Sequence, residues 1–292
     1  MSYLETMVEL YQAKGLPYLV QNGVFWHQYR GMVEPRGPLD KVAKLNAAEA
    51  QGIGAHFGGR LVRWYGEVNP NVPADAWYAV VCDQMVDPNS WTSKQRKKLR
   101  KGQEAASVRI IPLEQEAEDI YRVYRNAHAR YKNSTIQIQE AKSFLREVAI
   151  EAAFPSLLQY QGVYVKDQLV GYSKIYLFDQ QEAMIAVTKL DPAFLKFRIS
   201  ELLTYERSQY LLGDLQVGII RSGFRNLEHQ TEVQDFFQRF GYYNVALPLH
   251  IQYLGMLKMA MPFLRPLRGL PWPGPIKALL QQDQFRSTRF NK

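Results

Sequence analysis

Proton transfer and anion binding are the chemistry offered by residues 221–229, which read Arg221-Ser-Gly-Phe-Arg225 and then Glu228-His229. An imidazole titrates close to neutrality, so His229 is eligible as a catalytic base, with Glu228 as the acid beside it. A guanidinium can hold a carboxylate or phosphate through paired N–H donors, which makes Arg221 and Arg225 candidate substrate contacts. The bland alternatives are a capping histidine, a solvated acid and surface arginines. Lys174 and Tyr176 stand two residues apart, as do Tyr172 and Lys174. In a strand that spacing puts all three on one face, where they either line a substrate groove or pack a sheet surface.

Lys94, Arg96, Lys97, Lys98, Arg100 and Lys101 place six cations in eight residues. On a helix these positions wrap most of the circumference, so they cannot all pair with one protein face. They suit either a solvated helix or a site for phosphate-bearing ligands or an anionic surface. His27, His56, His128 and His250 have no metal-ligand spacing, and a single cysteine gives no zinc set, so no metal is expected.

Such groups need a scaffold, and residues 162–212 supply its centre. Runs 162–166, 169–178 and 182–190 carry Val165, Val170, Ile175, Leu177, Ile185 and Val187 and read as three strands. Asp167-Gln168 and Asp179-Gln180-Gln181 read as their turns. A long helix is expected over 192–210, with Pro192 in its first turn and Leu195, Ile199, Leu202 and Leu203 at helical spacing. Upstream, a strand at 108–111 precedes helices at 114–131 and 139–153. Downstream come a strand at 215–220, a helix at 231–240 with a Thr231/Gln234 capping box, and a strand at 242–253.

Before residue 107 the pattern is smaller and mixed. Asn22-Gly23 between 18–21 and 24–29 predicts a type I′ hairpin. A weak helix is expected over 39–51, and strands over 61–68 and 77–82. Gly52, Gly54, Gly58 and Gly59 follow a helix, not a strand, and match no nucleotide fingerprint. The chain has 292 residues, 47% of them hydrophobic, a net charge of +8 and one cysteine, Cys82. That is ample material for a core, and it points to a reducing compartment and anionic partners. Met1–Glu9 is mixed polar and no stretch is long and apolar enough to span a bilayer, so a cytoplasmic protein is expected.

The order strand, two helices, three strands, helix, strand, helix, strand over 107–253 resembles the GNAT acyltransferase fold. The basic segment Trp91–Gly102 just before it resembles that of the Fem-type peptidoglycan aminoacyl transferases, in which a truncated GNAT-like half precedes a complete one. The resemblance implies an α+β protein. Its sheet would be mixed and mostly antiparallel with helices on both faces, and a smaller truncated GNAT-like α/β region would precede it. Region 1–106 would be that N-terminal part, 107–253 the GNAT-like domain and 254–292 a basic, proline-rich tail.

The resemblance further implies an enzyme, a transferase moving an acyl or aminoacyl group onto an amine, with a cell-envelope precursor as one acceptor. The donor would be acyl-CoA or an aminoacyl-tRNA. In GNATs a glycine loop opens the long helix; here 192–203 has no glycine, leaving Lys196, Arg198 and Ser200 as the candidate phosphate contacts. The tyrosine that many GNATs carry four residues before a glycine in the last helix is Phe237 here. Both departures fit a tRNA-dependent branch better than an acetyltransferase. They also fit the rival reading, a catalytically degenerate binding or membrane-surface protein. The tail 254–270 mixes apolar residues with Lys258, Arg265 and Arg268, so it either packs along the domain or lies peripherally on the inner, anionic face of a membrane.

Overall fold

The computed structural model describes residues 1–29, 31–68, 76–129, 138–225 and 232–287. In chain order its elements begin with α1 (Tyr3–Lys14), β1 (Tyr18–Gln21), β2 (Val24–Tyr29), β3 (Met32–Pro35), α2 (Ala47–His56), β4 (Leu61–Tyr65), β5 (Tyr78–Cys82), α3 (Ser93–Ala105) and β6 (Ser107–Ile110). There follow α4 (Leu113–Ala129), α5 (Ala141–Ala152), β7 (Leu158–Val165), β8 (Gln168–Phe178), β9 (Glu182–Leu190), α6 (Ile199–Ser208) and β10 (Ile219–Phe224). The last are α7 (Glu232–Gln238), β11 (Tyr243–Ala246), β12 (Leu249–Tyr253), α8 (Gly255–Leu264) and α9 (Gly274–Gln284). The fold is mixed α/β, with two mostly antiparallel sheets flanked by helices. No described helix is long and apolar enough to cross a membrane.

Contacts divide the chain into two units, each assembled from separated segments: Met1–Lys14, Val81–Gly223 and Phe237–Tyr242 in the first, and Gly15–Val80, Phe224–Phe236 and Tyr243–Lys292 in the second. In the first unit the strands run β10-β9-β8-β7-β6, antiparallel from β6 to β9, with β10 parallel to β9. The β7–β8 turn falls on Lys166-Asp167, one residue earlier than expected. Both adopt the left-handed conformation that a two-residue type I′ hairpin demands. Helices α4 and α5 bury Ile120, Val123, Phe144 and Val148, while α6 buries Ile199, Leu202 and Leu203.

The expected long helix is three pieces. Asp191 caps a 3-10 turn, Pro192–Phe197, by accepting the amide of Ala193 at 3.0 Å. Arg198 then breaks the turn in the left-handed region, at φ 62°, and α6 starts after it. A π-type segment, Gln209–Asp214, follows α6. Residues 242–253 also divide, because Pro248 has no N–H to give to a ladder, and β12 pairs with β4 instead.

Helix α3 rests on α6 through Gly102. A β-carbon there would meet Leu202 Cβ at 3.0 Å and the Arg198 carbonyl oxygen at 3.2 Å. Gly102→Val should therefore lose about 1–3 kcal/mol of stability by overpacking, read as a lower urea midpoint with an unchanged slope.

The second unit holds the sheet β1-β2-β3-β4-β12. Its Asn22-Gly23 turn has positive φ at both residues, as expected. Trp26, Val33, Ile53, Val62 and Trp64 form one apolar cluster. Leu61, Trp77, Ile251, Met261 and Leu280 belong to another, which the inward face of α8 completes. Helix α2 starts later than expected because Asn46 and Glu49 form a reciprocal cap.

Candidate functional site

Strands β9 and β10 pair only at Glu182, Ala183 and Met184 against Ile219, Ile220 and Arg221. Beyond that point β9 continues to Leu190 with β8 as its only partner among the described residues. Among the described residues its backbone edge from Ile185 is thus unpaired on the β10 side, and Ala186 and Thr188 are exposed. An open strand edge beside a diverging parallel neighbour gives a cleft with backbone donors and acceptors already in line.

Arg207 of α6 reaches the strands that border this cleft. It is 1% exposed and donates from Nη1 to Ser173 Oγ at 2.9 Å and Thr188 Oγ1 at 3.4 Å. Ser173 and Thr188 face each other in the β8–β9 register, with hydroxyls 3.0 Å apart. Nε and Nη2 of Arg207 meet no acceptor among the described residues, and neither does the carboxamide oxygen of Gln161, whose register partner is Ser173. Burial pushes the Cys82 thiol of β5 up, and the charge of Arg207 pulls against it. A buried guanidinium held only by hydroxyls keeps most of its charge free for an anion.

At the root of the cleft Arg221 is buried and committed, its Nε 2.5 Å from Glu182 Oε1. Arg225 belongs to the second unit, where it donates to the Ala76 carbonyl at 2.9 Å and lies 4.2 Å from the Phe285 ring centre. Glu228, His229 and the Thr231 cap lie outside the described residues.

Lys174 and Tyr176 do share a face with Tyr172, but that face turns toward α5 and α1. Lys174 and Lys14 both pair with Glu151, which is 0% exposed, and both reach Glu147, at 3.4 and 3.0 Å. Tyr160 donates to the second oxygen of Glu151 at 2.6 Å. Burial opposes the charge on Lys174, yet the surrounding tyrosines and glutamates hold its pKa well above the ordinary value. Burial would likewise raise Glu147, but Lys174 and Lys14 bring it down to about 2. The arrangement fastens α1 to the sheet.

Two further titratable groups have no role assigned to them from the sequence. His128, at the end of α4, is depressed by burial and by Lys189 of β9, both of which disfavour its charged form. Burial lowers Lys189 as well. The ring of Tyr242 lies 5.0 Å from that of Phe237, and its buried hydroxyl has no acceptor among the described residues. The phenol is therefore adjacent to the position where the family resemblance looks for one.

Around the start of α6, Ser200 donates to Glu201 at 2.6 Å, and Arg198 and Lys98 approach the same carboxylate at 3.6 and 3.9 Å. Lys196 is exposed, 5.2 Å from the ring centre of Phe197. No glycine stands in this turn, so the close backbone approach that a glycine loop gives a coenzyme A pyrophosphate is missing here.

The basic helix is less uniform than its composition suggests. Arg96 donates to the carbonyls of Asn89 and Trp91, and Arg100 lies 3.7 Å from Glu104. Lys94, Lys97 and Lys101 remain exposed, without a partner among the described residues, and their spacing of three and four puts them on one side. A separate cleft of about 260 Å³, lined by Ile110, Pro112, Leu113, Ala152 and Leu158 among others, holds none of these groups.

No family model and no curated protein matches the sequence. Solved structures do match the fold. The C-terminal DUF2156 domain of a protein named as a lysylphosphatidylglycerol synthetase of Agrobacterium fabrum superposes with a TM-score of 0.57 at 10% identity, over 89% of this chain and 95% of that one. FemX gives 0.54 at 9% identity, over 89% and 92%. A conserved Bacteroides thetaiotaomicron protein of unknown function gives 0.55 at 10%, over 87% and 90%. The chain therefore has a GNAT-like fold of the kind found in FemX.

Proposed function

We propose that this protein is a transferase that moves an aminoacyl group from a tRNA ester onto an amine, with a cell-envelope precursor as the acceptor class. The observation that carries the reading is the open β9 edge, where exposed Thr188 lies over the buried, uncompensated Arg207. A cleft with strand-edge hydrogen-bonding groups and a fixed positive charge can orient an ester carbonyl and its polar substituents. Lys94, Lys97 and Lys101 on α3 add a row of cations, with Lys98 beside them and Arg198 at the start of α6, suited to a phosphodiester backbone. The absence of a glycine from the turn before α6 favours this donor over acyl-CoA. Acyl transfer onto an amine remains the broader class.

In the reaction the acceptor nitrogen attacks the ester carbonyl, the C–N bond forms and the C–O bond to the ribose breaks. The nitrogen gives up a proton and the departing ribose oxygen takes one. His229 and Glu228 are the candidates to accept the proton, and the Tyr242 phenol is a candidate donor. The direct test uses bulk tRNA charged with radiolabelled amino acids, incubated with the protein and amine-bearing peptidoglycan precursors. Label is expected to move to the precursor and to stop moving in Thr188→Trp, which fills the cleft. Retention of all label on tRNA with every amino acid supplied would sink the proposal. A second expectation is calorimetric: coenzyme A should give no saturable heat up to millimolar concentration. Tight saturable binding would mean that the turn before α6 cradles phosphate despite its side chains.

A further inference from the structure

Helix α8 has two apolar faces, and only one of them is buried. Leu257, Met261 and Leu264 turn inward onto the cluster of Leu61, Leu249 and Ile251. Met256, Met259 and Phe263, spaced three and four apart, turn outward and are 82, 67 and 77% exposed. Leu267 and Leu270 extend the exposed strip past the helix. A strip of large side chains held open to water on an ordered helix calls for a partner, because soluble surfaces seldom present contiguous apolar area of this kind.

The charge of the segment that carries the strip says which partner. From Leu254 to Gln282 there is no Asp or Glu, whereas Lys258, Arg265, Arg268 and Lys277 are all cations. Arg265 is neutralised by Asp283, at 2.8 Å. Lys258, Arg268 and Lys277 are exposed and have no acid partner among the described residues. A protein partner or a second copy would bring these cations face to face with a mixed or equally basic rim. A bilayer with anionic headgroups receives the methionines and phenylalanine at its acyl boundary and the cations at its surface. Trp272, half-buried, donates its indole N–H to the Leu267 carbonyl at 2.8 Å and holds the end of the strip in place.

We infer that the outer face of α8 is a docking surface for an anionic lipid bilayer, which would hold the protein peripherally. The inference stands on the second unit alone and does not need the transferase reading to be right.

The test is co-sedimentation of the full chain with vesicles of phosphatidylcholine alone and of phosphatidylcholine with phosphatidylglycerol. Binding is expected to the anionic vesicles and to fall with salt. The triple variant Met256→Ser, Met259→Ser, Phe263→Ser should weaken it more than about tenfold, since three buried side chains are lost from the acyl boundary. Reversal of Lys258, Arg268 and Lys277 to Glu should weaken it by at least about fivefold per charge at low salt. All substituted positions are exposed, and circular dichroism checks that both variants fold. No binding to either vesicle, equal binding to both, or wild-type binding in the two variants would overturn the inference. So would a concentration-dependent dimer in light scattering that the triple serine variant abolishes, since the strip would then cover a second copy.

Discussion

Replacing Glu151 with alanine is expected to remove about 3–5 kcal/mol of unfolding free energy, the usual penalty for stranding a buried charge. The carboxylate is fully buried and answers two ammonium groups, Lys14 from α1 and Lys174 from β8, as well as the Tyr160 hydroxyl. Without it Glu147 is the one acid of the cluster left for both lysines, and it is partly exposed to water. Urea unfolding gives the magnitude. Amide exchange across 3–14 adds the location, because α1 should lose protection first. Glu151→Ala combined with Lys14→Met and Lys174→Met should recover much of the loss, since apolar replacement of an entire buried charge set is often close to neutral. A drop below 1 kcal/mol for the single variant would mean that water already reaches the site. The pH dependence has a definite sign. Glu147 is depressed from its ordinary value of 4.5 to about 2, so its contribution is complete above 4.5 and is lost as pH falls toward 2. Solvent screening keeps that contribution small next to the one from Glu151.

What the sequence made legible was local. The Asn22-Gly23 hairpin, the three central strands and the apolar stripes of α4 and α5 follow from turn chemistry and periodicity, and the structure has them where those rules put them. Helix α1 escaped although Tyr3, Met7, Leu10 and Tyr11 have helical spacing with Glu5 and Glu9 on the opposite side, because residues 1–9 taken by composition are only mixed polar. Helix α9 hid in the proline-rich tail behind Pro271, Pro273 and Pro275, although proline is at home in a first helical turn. Division into units was illegible for a different reason: 1–14 joins 81–223, and 243–292 joins 15–80, through contacts between segments far apart in sequence.

The site was misjudged where burial, not spacing, decides the role. Lys174 has the residue type and spacing of a groove lysine, but the acids that claim it lie on α5, a helix that strand spacing says nothing about. Arg221 is likewise taken by Glu182, 39 residues away along the chain. Arg207, in contrast, left a readable sign. It follows Ile199 and Leu203 at intervals of four on the apolar stripe of α6, so helical geometry already aims it inward, and an arginine on an inward stripe requires an explanation.

Arg207→Met is therefore expected to separate activity from stability. If the guanidinium serves an anionic or strongly polar group of the substrate in the β9–β10 cleft, transfer should fall about 10²–10³-fold, the usual loss for one fixed electrostatic contact. Stability should hold or rise, because the substitution removes a buried charge that Ser173 and Thr188 compensate only with neutral hydroxyls. The conservative Arg207→Lys should fall between, since an ammonium keeps the charge but not the planar, paired donors. Steady-state transfer rates and urea midpoints on the same preparations distinguish the cases. Parallel loss of activity and stability would make Arg207 a packing residue whose N–H groups are satisfied by buried water. Unchanged activity with unchanged stability would take it out of the site altogether.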